Sequence, residues 1–148
     1  MNMIFFNLGQ GLVFTLLYLL VITQVSSQTW QSLGAPYSVN LSKDIAVGYS
    51  GTTRVLYIAA KEDSILKSTG SSISWTNMPF AKPDLVTCES SNPDVVYTGV
   101  TSGSTAGVWK STDGGSVWSQ SNSGLGNTSV TRLSISPFNN NVLYVGAV

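Results

Sequence analysis

The sequence predicts an all-β protein assembled from repeated four-stranded units. Apolar residues come in short runs separated by Ser, Thr, Gly and Asn clusters, and no long stretch carries the 3.6-residue period of a helix. One strand sequence recurs three times, as VLYIAA at Val55–Ala60, VVYTGV at Val95–Val100 and VLYVGA at Val142–Ala147. A second segment recurs twice, as ILKSTGSSISW from Ile65 to Trp75 and VWKSTDGGSVW from Val108 to Trp118, with the two terminal tryptophans 43 residues apart.

The elements follow in chain order. Leu12–Ile22 is an apolar run of about eleven residues followed by small and polar ones, a length that suits the h-region of a signal peptide better than a membrane span. Val25 and Ser27 fit the small-residue positions of a cleavage site, so residues 1–27 are expected to leave and Gln28 to begin a secreted chain that has no membrane attachment. The n-region lacks the usual basic residue, and an uncleaved anchor starting near Met3 is the rival reading.

Candidate strands then run over Ile45–Ser50, Arg54–Ala60, Ser64–Thr69, Ile73–Asn77, Leu85–Ser90, Val95–Thr101, Gly107–Thr112, Val117–Gln120, Thr131–Ser136 and Val142–Val148. TGSS, SNPD, TDGG and PFNNN supply the turns between them. Trp30, in QTWQSLG, has the context of Trp75 and Trp118 and marks a closing strand over 30–33. The secreted part, 28–148, therefore divides into that closing strand, a four-stranded unit over 44–78, a second over 84–120 and a half unit over 130–148. Units of this size, twisted sheets burying their faces on their neighbours, are β-propeller blades, and two and a half of them make an incomplete propeller.

Composition removes several functions. The chain has 148 residues, seven basic and seven acidic side chains, no histidine and one cysteine. A net charge of zero without a block of one sign offers no basic field for nucleic acid. The absence of histidine excludes a serine–histidine relay and a His-ligated zinc, and a single Cys88 excludes an intrachain disulfide. Cys88, in DLVTCES, reads as a small core residue of a strand.

In Ser111-Thr112-Asp113-Gly114-Gly115-Ser116-Val117-Trp118 the short carboxylate of Asp113 can accept backbone N–H groups across a tight turn, glycine can supply a positive φ, and Trp118 can pack on the hairpin it closes. Full burial of that indole would make Trp118→Ala cost about 3–5 kcal/mol. The segment resembles the Asp-box, or BNR repeat, Ser-x-Asp-x-Gly-x-x-Trp, at every specified position: Ser111, Asp113, Gly115 and Trp118. The earlier copy is degenerate, keeping Ser68 and Trp75 but holding Gly70 and Ser72 where the motif has Asp and Gly. The resemblance extends over nearly all of 28–148 and is to secreted Asp-box propellers: sialidases, xyloglucan-cleaving glycoside hydrolases and the sortilin/Vps10 receptors. It implies a structural Asp113, no cofactor and no metal, and a carbohydrate or protein/peptide ligand on the rim away from the Asp-box.

On that rim fall the loops around Lys61-Glu62-Asp63, Thr101–Ala106, Pro79–Asp84 and Asn122–Thr128. A carboxylate-pair glycosidase needs two acids about 5–10 Å apart. Glu62, Asp63 and Asp84 are the weak candidates, the first two reading equally as a solvated turn. Arg54 and Arg132, both in strand contexts, fall short of the three-arginine clamp that resemblance to a sialidase would require. The sequons Asn40-Leu41-Ser42 and Asn127-Thr128-Ser129 would place glycans on the same rim. The expected function is a binding scaffold without a complete active site. The alternatives are a piece of a glycoside hydrolase or of a sortilin-like receptor. Apolar faces left over at two and a half blades call for further blades, for self-assembly or for an open stack.

Overall fold

The computed structural model describes residues 42–60, 64–71, 74–80 and 82–148. The expected signal peptide, the closing strand at Trp30, Asn40, Glu62 and Asp63 lie outside the described residues. Those that are described contain ten strands and no helix, and all fall within one compact unit, Leu33–Val148.

The strands are β1 (Ser42–Ser50), β2 (Thr53–Ala60), β3 (Ser64–Thr69), β4 (Trp75–Met78), β5 (Leu85–Cys88), β6 (Val96–Val100), β7 (Gly107–Ser111), β8 (Ser119–Gln120), β9 (Val130–Ile135) and β10 (Leu143–Ala147). They form two antiparallel four-stranded sheets, β1-β2-β3-β4 and β5-β6-β7-β8, and a two-stranded sheet of β9 and β10. Every neighbour in a sheet is also its neighbour in sequence, because short turns leave a strand little choice but to pair with the one before it. No sheet closes into a barrel; the architecture is that of incomplete propeller-like blades.

Side-chain alternation decides how the sheets stack. On β2, Val55, Tyr57 and Ala59 share one face, and on β3 Ile65 joins them through its pairing with Ala59. These residues pack with Ala46 of β1 against Val86, Cys88 and Val96 of the second sheet. The second sheet's other face carries Tyr97 and Val108, which pack on Leu133, Ile135, Leu143 and Val145 of the third. Opening strands lie beside one another, β1 against β5 and β5 against β9. The Tyr49 amide donates to the Ser90 carbonyl at 2.7 Å, and the Val86 amide donates to Asp44 Oδ2 at 3.0 Å, so the first of these seams is hydrogen-bonded as well as apolar. Gly48 permits it: a Cβ there would stand 2.8 Å from Pro93 Cβ and 2.9 Å from the Glu89 carbonyl oxygen.

The repeat is visible in three dimensions. Tyr57 is paired with Lys67, whose Nζ lies 5.4 Å from the ring centroid, and Tyr97 with Lys110, at 5.3 Å. These cation–π contacts hold a lysine stem across each buried tyrosine. Tyr57 also donates its hydroxyl to the Pro93 carbonyl at 2.8 Å, across the seam. Burial, and then the negative charge of Asp94, push its phenol pKa well above the ordinary value, so the hydroxyl stays a donor.

Most strand ends shift by one to three residues from the sequence expectation, β1 starting three residues earlier, and two of the shifts have clear local reasons. β8 begins at Ser119 rather than Val117, because the Val117 amide is taken by Asp113 Oδ1 at 2.9 Å and held in the turn. β5 stops at Cys88, since the Glu89 amide already closes the next hairpin on the Val95 carbonyl at 3.0 Å.

Candidate functional site

Ser111 and Asp113 build the turn from β7 to β8. The buried Ser111 hydroxyl donates to Asp113 Oδ1 at 2.7 Å and accepts the Gly115 amide at 2.9 Å. Asp113 Oδ1 accepts the amides of Ser116 at 3.0 Å and Val117 at 2.9 Å. The Ser111 hydroxyl bond first, and the Val117 amide next, hold the Asp113 carboxyl below the ordinary carboxylate range. Gly114 and Gly115 adopt φ of 71° and 94°, which the turn requires and side-chain-bearing residues resist. The carboxylate is exposed but its oxygen is spent on its own backbone, an arrangement that builds a turn.

The first copy of the segment makes different contacts. Gly70, with φ 82°, donates its amide to the Arg54 carbonyl at 2.7 Å and accepts Arg54 Nη2 at 3.2 Å on its own carbonyl. Arg54, which the sequence placed in a strand, thus clasps the glycine that stands where the second copy has Asp113. Ser68 is buried and Trp75 opens β4.

Trp118 leads to a groove along the outer edge of the first two sheets. Its indole Nε1 donates to the Gly115 carbonyl at 2.9 Å, and its ring meets Phe80 edge-on, centroids 5.1 Å apart at 61°. Phe80 also meets Trp109 edge-on, at 5.6 Å and 72°. Trp109 donates Nε1 to the Thr105 carbonyl at 2.9 Å. Both indole N–H groups are therefore committed, which fixes the rings and leaves apolar ring surface toward the opening. Pro79, Thr105, Ser116 and Val117 complete an open groove of about 440 Å³. Among the described residues, no charged side chain lines it.

The groove draws on both rims. Pro79 and Phe80 come from the β4–β5 connection and Thr105 from the β6–β7 loop, the rim where the sequence sought a ligand. Ser116, Val117 and Trp118 come from the β7–β8 turn, which the sequence assigned to structure alone. Phe80 and Trp109 were missed. The signal was present for one of them: Trp109 stands in VWKST where the other copy has Leu66 in ILKST, so the repeats differ at this point. Leu66 is buried, whereas Trp109 is half-buried and lines the groove.

Asp84, the described member of the three catalytic candidates, binds across the seam. Its Oδ1 accepts Lys43 Nζ at 2.6 Å and its Oδ2 the Thr101 amide at 2.7 Å. Desolvation pushes its pKa up, but the hydrogen bonds from Lys43 and Thr101 and the Lys43 charge outweigh this and hold the carboxyl below its usual range. A group so held carries no proton at neutral pH and is unsuited to general-acid work. Among the described residues no group of three or more Cys, Asp or Glu side chains comes together. Asn127 is exposed, its Oδ1 accepting the Ser129 amide at 2.9 Å.

Cys88 is buried in the first seam, and burial, then the charge of Glu89, push its thiol up to about 11. At pH 8 the native thiol is expected to react with iodoacetamide about 100-fold more slowly than in urea, because the thiolate is the nucleophile. Equal rates, read by mass spectrometry, would contradict the buried placement. The chain matches no protein-family model and no curated protein.

Proposed function

We propose that this chain is a secreted Asp-box propeller segment whose function is to bind neutral glycan, as a scaffold without a complete active site. The observation that carries the reading is the groove of Phe80, Trp109 and Trp118, with its fixed rings and uncharged lining. A pyranose presents an apolar C–H face and a rim of hydroxyls. The first suits the rings, and the second suits the Thr105 and Ser116 side chains and water at the open side. An ionic ligand would find no counter-charge among the described residues of the lining. The turn that carries the Asp-box residues also supplies Trp118, so the structural motif and the binding surface support one another.

The test is a titration of the chain with neutral β-glucan oligosaccharides, followed by tryptophan fluorescence and by release of reducing ends. Saturable binding without release is expected. Trp109→Leu, which installs the residue of the other repeat copy, should weaken it about 10- to 30-fold while leaving the circular dichroism intact. No saturable response to any neutral glycan of an array, or binding indifferent to Trp109→Leu, would sink the proposal, and release of reducing ends would replace it with a glycoside hydrolase.

A further inference from the structure

The connection from β8 to β9 crosses from the second sheet to the third and is pinned on both sides. Asn122 is tied to the start of β7, its Oδ1 accepting the Val108 amide at 2.7 Å and its Nδ2 donating to the Ala106 carbonyl at 3.4 Å. Leu125 donates its amide to the Asn122 carbonyl at 3.0 Å and packs into the core between the second and third sheets. Val130, the first residue of β9, is fully buried in that same core. Between these anchors Gly126, Asn127 and Thr128 are exposed and Ser129 is half-buried, so the chain arches into solvent with Asn127 in the middle of the exposed stretch.

Asn127-Thr128-Ser129 is an acceptor sequence for N-linked sugar. Such a site needs a side-chain amide nitrogen that the fold does not use for itself. Asn127 spends only its carbonyl end, with Oδ1 accepting the Ser129 amide at 2.9 Å to close an Asx turn. Among the described residues its Nδ2 donates to no acceptor. Asn122 and Asn140 differ on both counts. Their Nδ2 groups are donated, to the Ala106 carbonyl and to Glu89 Oε2, and neither asparagine has a serine or threonine two residues on.

From this we infer that Asn127 is N-glycosylated. The inference rests on the secreted part of the proposed function, because the sugar donor, an oligosaccharide carried on a lipid pyrophosphate, is met on the export route. It does not depend on the groove, since no residue of 121–129 lines it. In the transfer Asn127 Nδ2 forms a bond to the anomeric carbon of the first sugar. The bond from that carbon to the pyrophosphate oxygen breaks, its electron pair leaving with the pyrophosphate, and one Nδ2 proton passes to solvent. The linkage leaves the side-chain carbonyl in place, so Oδ1 still holds the Ser129 amide, and the folded loop carries the sugar without losing a hydrogen bond.

The experiment expresses the full chain in a glycosylating eukaryotic host and collects medium and lysate separately. Trypsin releases the peptide Ser111–Arg132, which contains Asn127 and no other acceptor sequence, whereas Asn40 lies in the peptide that ends at Lys43, so the two are read apart. Enzymatic removal of N-glycans in heavy-oxygen water turns a glycosylated asparagine into a labelled aspartate, which mass spectrometry locates. Label is expected at Asn127 of the exported chain. Ser129→Ala keeps the backbone N–H that closes the turn and loses only the hydroxyl; it and Asn127→Gln should each abolish the label, and Ser129→Thr should keep it. An exported chain with a bare Asn127, or label that survives Ser129→Ala, would overturn the inference and leave the secreted reading standing. A chain confined to the cytosol without glycan would overturn both.

Discussion

Tyr57→Ala is expected to destabilise the chain by about 3–5 kcal/mol, the range for deleting a buried aromatic side chain. The ring is fully buried in the seam between the first two sheets, under the Lys67 stem and beside Val86 and Val96. Its hydroxyl bonds the Pro93 carbonyl of the second sheet's first turn, so the deletion also removes a tie across the seam. Tyr57→Phe separates the two effects and should cost about 1–2 kcal/mol for the orphaned carbonyl. The repeat provides its own control: Tyr144→Ala, at the equivalent but exposed position, should stay within about 0.5 kcal/mol in dilute monomer. Urea denaturation of the three variants tests the set, and equal losses at Tyr57 and Tyr144 would refute the assignment of faces.

Trp118→Ala should cost about 2–3 kcal/mol, less than a fully buried indole would. The sequence expected complete burial and a larger loss; in the structure the ring is half-buried, because one side forms the wall of the groove. Its other side packs on the first core with Met78 and Phe80, and its N–H closes on the Gly115 carbonyl. Val117→Ala, one residue away and 68% exposed, should change stability by less than about 0.5 kcal/mol. A tryptophan loss as small as that of Val117 would mean the indole is an ornament of the turn rather than part of the seam.

The fold was legible because its signals are local. Alternation of apolar residues, turn chemistry and the two recurring segments all lie within a few residues of the strands they specify, and each of the ten observed strands overlaps an expected one. Strand ends were less legible where a side chain competes with the sheet for a backbone group, as Asp113 does for the Val117 amide. The groove was the least legible part. Phe80 reaches Trp109 and Trp118 from a connection with no strand pattern, and only the stacking of two sheets puts these rings together. Asp84 was singled out as an acid on a rim loop, but the role of its carboxylate is set by Lys43, 41 residues away, and by the Thr101 amide.

The contrast between Leu66 and Trp109 has a consequence for how such a molecule can acquire new properties. When a unit is present twice, the folding requirement at a given position is met by either copy's neighbours, and a change in one copy leaves the other as an unaltered template. The first copy carries a plain aliphatic residue, and a glycine clasped by Arg54 where the other copy has its aspartate. The second carries the Ser111–Asp113 turn and a ring whose N–H bonds a neighbouring loop rather than its strand partners. A repeated unit can thus hold its shape in both copies while differing in surface, and the half-buried indole of Trp109 is where the two copies part company.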